Sequence, residues 1–192
     1  MTISMSAYSQ KQTGAVLIMG LVLLMALTIV GVAMIGNNTL EQRMAGNAYD
    51  SSLAFNAAET ASRDIESRIF PLTIAPTTSG SCASTAISTG LCVIDNNSIS
   101  TALGTDAEWW KKKNNAWWQS NATDYNQTAN FTSKVNSDPR AIVVDAGFYK
   151  DSLRVGGNNI TGTHFYKITT RGTGASDNSQ AIVQWDVAKR TN

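Results

Sequence analysis

Apolar and polar positions fall into two regimes along the chain. From Ala15 to Ile35 no side chain is charged, and Thr28 carries the one hydroxyl. At about 1.5 Å per residue such a run makes a helix of roughly 30 Å, the hydrocarbon thickness of a bilayer. A helix is expected because it satisfies its own backbone groups where water is absent. A core helix of a soluble protein is rarely apolar all round for so long. A secretory signal has a shorter apolar part, about 7 to 15 residues, behind several positive charges. Here Lys11 is the one charge before the run, and the run continues into more helix, so it reads as an anchor retained in the mature protein. Lys11 places the N-terminus in the cytoplasm and everything after Ile35 outside.

Beyond the anchor the pattern becomes amphipathic. Leu40, Met44, Ala48, Phe55, Ala58, Ile65 and Ile69 recur at three-, four- and seven-residue steps, which lays them on one helix face until Pro71 ends the pattern. One helix is therefore expected from about Ala15 to Phe70, roughly 80 Å long. Gly31, Gly36 and Gly46 each cost it about 1 kcal/mol relative to alanine. They let neighbouring helices approach, or they let the segment Gly31 to Gly36 soften in a filament. Glu59 with Arg63 and Asp64 with Arg68 are i,i+4 pairs expected on a solvated face.

The apolar stripe needs a sheet to cover it. Ala141 to Val144, Phe148 to Leu153, Thr163 to Thr170 and Gln180 to Val187 have the β-branched and aromatic content of strands. Turns are expected at Gly156 to Asn159 and at Gly172 to Ser179. The expected fold is α+β: a long N-terminal helix on a small antiparallel sheet of about four strands. Tyr166, Ile168 and Thr170 form the strand face that meets the helix.

Pro71 to Asn97 reads as an exposed connection containing Cys82 and Cys92, both on the outer side of the anchor. In an oxidising compartment they pair, which stabilises a clamped loop by roughly 3 kcal/mol. The spacing fits neither a Cys-x-x-Cys redox pair nor a zinc cluster. The most unusual segment follows, with Trp109 and Trp110, Lys111, Lys112 and Lys113, then Trp117 and Trp118. Its rings and cations could contact single-stranded DNA or a glycan, but a small domain also needs tryptophan for its core. At least two of the four are expected to be packing residues.

The formal net charge is +1, so any nucleic-acid contact has to be local. His164 is the single histidine, and a catalytic triad would have to be built around it. No phosphate-cradling glycine loop follows a strand into a helix. The oxygens of Asp95 to Ser98 and of Asp177 to Ser179 lack the spacing of a calcium loop, and turn chemistry explains both. No catalytic residue, metal or cofactor is expected.

Lys11-Gln12-Thr13-Gly14-Ala15, the apolar run, Thr39-Leu40-Glu41-Gln42-Arg43-Met44-Ala45-Gly46-Asn47 and Leu53-Ala54-Phe55-Asn56-Ala57-Ala58-Glu59 together resemble the PilX family of type IV pilus minor pilins. The segments Asp138 to Val144 and Phe165 to Gly172 are similar to the family's strand motifs, more loosely. The resemblance implies a type IV pilin-like chain in four parts: a leader at 1–14, a transmembrane and filament-core helix at 15–36, its amphipathic half at 37–70 and a globular head at 71–192. It implies cleavage by prepilin peptidase between Gly14 and Ala15, and N-methylation of Ala15. Met19 stands where pilins usually carry a glutamate, which in assembly pairs with a neighbour's terminal amine. A carboxylate at that depth costs about 2.5 to 3.5 kcal/mol unless paired.

Without it, a place at the pilus tip is expected, in the group of minor subunits that prime assembly and support twitching, attachment and DNA uptake. The implied partners are other minor pilins, the major pilin, prepilin peptidase and the inner-membrane assembly platform, with a tip adhesin as a further candidate. The precursor belongs in the inner membrane and the assembled subunit in the extracellular pilus. A tip pseudopilin of a type II secretion system is the alternative reading. A single-pass membrane enzyme or binding domain is a further one, which loss of an activity on His164→Ala would support.

Overall fold

The computed structural model describes residues 14–82, 90–124, 134–151 and 161–191. The expected leader, the turn at Gly156 to Asn159 and the end of the expected strand at 152–153 lie outside the described residues. Two compact units divide at Gly46 and Asn47.

Helix α1 runs from Ala15 to Ile69, continuous through Gly31, Gly36 and Gly46. It ends one residue before the expected limit, at the approach to Pro71. In the first unit the side chains of 15–36 and 38–46 are exposed. In the second unit the buried face of α1 is Ala54, Ala57, Ala58, Ala61, Ile65 and Ile69, each no more than 2% exposed. Ala58, Ile65 and Ile69 are where the periodicity placed them. Leu40, Met44, Ala48 and Phe55 of the same stripe are exposed, Phe55 at 52%. At Phe55 the reason is steric: beside it β5 comes so close to α1 at Gly172 that Ala54, Ala57 and Ala58 fill the gap.

The sheet has three long antiparallel strands, β4 (Arg140–Lys150), β5 (Gly162–Thr173) and β6 (Gln180–Thr191). Three two-residue strands complete it: β1 (Thr78–Ser79), β2 (Val93–Ile94) and β3 (Thr123–Asp124). The order is β1-β2-β4-β5-β6, with β3 also pairing with β4. The β1–β2 and β2–β4 pairs are parallel, so the sheet is mixed. Two of the strands read separately from the sequence are one strand, β4. The register shifts between Asp145 and Gly147, and Gly147 adopts φ +119°, a conformation that favours glycine. Asp145 Oδ1 accepts a 2.9 Å hydrogen bond from the Gly147 amide, which fixes the bulge.

Alternation along β4 builds two cores. Ala141 and Val143 join Ile65, Ile69, Val93, Tyr166, Ile168 and Val187 between sheet and helix. Ile142 and Val144 join Ile94, Leu103, Trp109, Trp118 and the two cysteines on the opposite face. Both faces of this part of the sheet are covered, and 141–144 are all buried in consequence. Tyr166, Ile168 and Thr170 lie on the helix side as expected, each at most 1% exposed.

Candidate assembly surface and the head that carries it

The first half of α1 is a bare apolar surface. Val16, Met19, Gly20, Leu23, Leu24 and Leu27 line a shallow groove along it. Met19 is 74% exposed there, so the position expected to lack a carboxylate presents an uncharged thioether. Thr28 Oγ1 donates to Met25 O and Thr39 Oγ1 to Gly36 O, which keeps these hydroxyls satisfied on their own helix. Gly14 and Ala15 stand at the start of α1. A helix of this length and composition can cross a membrane.

Three of the contacts between the second half of α1 and the sheet side of the head stand out. At Gly172 of β5 the strand lies against the helix backbone. A Cβ there would overlap Ala54 O, Ala58 N and the Ala57 methyl. At one end, Asp50 Oδ1 accepts from the Ala175 amide and Asp50 Oδ2 from Ser176 Oγ, the latter at 2.7 Å. The Ser176 hydroxyl holds the Asp50 carboxyl below the usual carboxylate range, with the backbone amides adding to it against partial desolvation. At the other end, Lys189 Nζ of β6 donates to Ile69 O and Leu72 O, satisfying carbonyls that the end of a helix leaves open. Burial pushes the Lys189 ammonium below its ordinary range. The sequence places Gly172 at the start of a turn, whereas β5 runs on to Thr173; Asp50 and Lys189 carry no signal there, since their roles exist only once strand and helix meet.

The i,i+4 pairs differ from the single solvated face expected of them. Glu59 and Arg63 are exposed and 2.6 Å apart. Asp64 is buried and bonded to Arg68, which also donates to Asp124 O of β3 at 3.0 Å. Asp64 lies three residues after buried Ala61 and so flanks the covered face.

The tryptophan segment closes the opposite side of the sheet. A 3-10 turn at Trp109–Lys112 leads into helix α3, Asn115–Asn121, which Asn114 caps by accepting from the Trp117 amide at 2.9 Å. An earlier short helix, α2, spans Ile99–Ala102. The rings of Trp110, Trp117 and Trp118 lie 5.5 to 5.7 Å from that of Trp109. Trp118 is fully buried and Trp109 is 7% exposed, so neither presents a face for stacking. Trp110 and Trp117 are half-buried at the edge. The cations are engaged within the segment: Lys111 pairs with Glu108 at 2.7 Å, Lys112 with Asp106 at 2.5 Å, and Lys113 Nζ sits 4.7 Å above the Trp117 ring. Arg171, 4% exposed, donates to Asn115 Oδ1 at 2.9 Å and ties α3 to the sheet. The Cys82–Cys92 disulfide, with Cα atoms 5.9 Å apart, packs into the same core.

His164 lies in an aromatic row, with ring centroids 4.5 Å from Phe148 and 5.9 Å from Tyr166. Burial, then the charge of Asp145, pushes the Tyr166 phenol up to about 12. Asp95 to Ser98 is a capped 3-10 turn, Asp95 Oδ1 accepting from the Asn97 amide. Asp177 to Ser179 closes the β5–β6 turn, where the Gly174 amide donates to Ser179 O. Among the described residues no cluster of three or more His, Cys, Asp or Glu is placed to hold a metal.

An α+β head joined to a helix whose apolar start is able to cross a membrane defines a pilin-like subunit. Two family profiles match the chain: PilX N-terminal over residues 13–63, and Type IV pilus assembly protein PilX C-term over residues 73–189. The chain belongs to the PilX family of type IV pilus assembly proteins. No curated protein and no solved structure matches it.

Proposed function

We propose that this chain is a minor pilin, a structural subunit of the complex that primes pilus assembly and stays at the pilus tip. The observation that carries the reading is the family match together with a bare apolar helix start that holds Met19 where a glutamate is usual. The helix anchors the precursor in the inner membrane with its N-terminus in the cytoplasm. Prepilin peptidase removes the segment up to Gly14, and Ala15 becomes the methylated N-terminus. The same apolar surface then packs against the helices of other minor pilins and of the major pilin, in contact with the assembly platform and a tip adhesin. The role is structural, in keeping with a family named for assembly. Twitching, attachment and DNA uptake follow through the filament. Direct DNA contact by the tryptophan segment is disfavoured by the pairing of Lys111 and Lys112 with carboxylates. The family match favours a pilus over a type II secretion pseudopilus.

The test compares surface filaments sheared from wild-type cells with those from a Gly14→Val strain, by mass spectrometry. The expected result is a low-abundance subunit starting at methylated Ala15, lost in the variant. An uncut chain confined to the membrane of wild-type cells would overturn the reading.

A further inference from the structure

The tryptophan layer covers only part of the sheet face turned away from α1. Farther along β4 and β5 that face holds an open pocket of about 710 Å³, within the range of about 300 to 1,000 Å³ usual for small-ligand sites. Tyr149 and Phe165 form its apolar part. Their rings meet edge to face, with centroids 5.3 Å apart and planes at 88°. Tyr149 is nonetheless 66% exposed, so one broad aromatic surface is held in place and left open. This ordering precedes binding, and a ligand loses correspondingly less entropy on contact.

The polar part of the lining decides the ligand class. Among the described lining residues, Lys150 and Lys167 contribute two positive charges and Asp151 and Asp186 two negative ones, so both signs are present in equal number. Lys167 and Asp186 are cross-strand partners on one face, and Asp151 accepts a 2.8 Å bond from Arg190. A phosphate chain would meet carboxylates here, and a polycation would meet ammonium groups. A ligand suited to this lining has one flat apolar face for Tyr149 and many neutral donors and acceptors at its edge for ammonium and carboxylate groups. A pyranose ring has both, in its C–H face and its hydroxyls.

We propose that this pocket is a binding site for neutral carbohydrate, with Tyr149 as the stacking platform and Lys167 and Asp186 as hydroxyl partners. The site is independent of the filament reading, because it uses only the outer face of the head.

The test uses the full chain purified in lauryldimethylamine oxide, whose headgroup is not a sugar, on an array of neutral, sialylated and sulfated oligosaccharides. Any neutral oligosaccharide captured is then titrated by calorimetry. The expected result is capture of at least one neutral oligosaccharide, weakened about tenfold or more by Tyr149→Ala. Tyr149→Phe, which keeps the ring, should restore affinity to within about threefold of wild type, and all three proteins should melt together, since Tyr149 is exposed. Failure of the wild type to capture any neutral oligosaccharide overturns the proposal. So does capture of acidic glycans alone, and so does a Tyr149→Ala variant that binds as the wild type does.

Discussion

Gly172 is where the head tolerates least. Its missing side chain lets β5 reach the backbone of α1, and the atoms a Cβ would strike belong chiefly to main chain, which cannot rotate aside. Gly172→Val should cost about 3 kcal/mol or more, read as a lowered melting temperature of the purified chain. Asp50 acts by charge rather than size. Its carboxyl is held below the ordinary value near 3.9 by the Ser176 hydroxyl and the amides beside it. A carboxyl whose folded pKa is depressed stabilises the fold above the unfolded value and loses that contribution as pH falls through the folded one. Asp50→Asn should therefore melt below wild type at neutral pH, and the gap should close in acid, below the ordinary carboxylate value. A gap that persists unchanged in acid would show that the contact does not depend on ionisation.

Among the elements, α1 was the most legible in the sequence, because an uncharged run followed by an amphipathic one has few other solutions. Which side of it packs was half legible. Hydrophobicity selects Phe55, whereas the close approach at Gly172 selects Ala54, Ala57, Ala58 and Ala61, and small residues carry little signal in an apolar count. The three long strands were legible from β-branched content, but the bulge at Gly147 made one of them, β4, read as two. The short strands β1, β2 and β3 were not legible, since two residues have no periodicity and their pairing is imposed by β4. In the tryptophan segment the composition was plain and its geometry was not: burial of Trp109 and Trp118 depends on a core built from residues far off in sequence. The disulfide belongs to this scale, closing the loop that leads directly into β2. Replacing both cysteines by serine should cost about 2 to 4 kcal/mol. It should also expose Trp118, seen as a red shift in tryptophan fluorescence before the head unfolds.

At the scale of the whole molecule, one chain combines a bare apolar helix start, long enough to cross a membrane, with a sheet covered on both faces only in its central part. Met19 is where the proposed place in the filament can be tested. Met19→Glu should move the protein from the tip into the shaft, raising its share of sheared filaments relative to the major pilin by mass spectrometry, and an unchanged share would count against a tip assignment. The spread of three of the contacts between α1 and the sheet has a mechanical consequence. The Asp50 bonds, the alanine seam at Gly172 and the Lys189 bonds at Ile69 are spread over residues 50 to 69 of the helix, roughly 28 Å. A force pulling the helix along its own axis therefore loads all three in shear at once instead of unzipping them in turn. Connections loaded in parallel give way together and at a higher force than the same bonds broken singly, so this head is built to resist being drawn off its helix lengthwise.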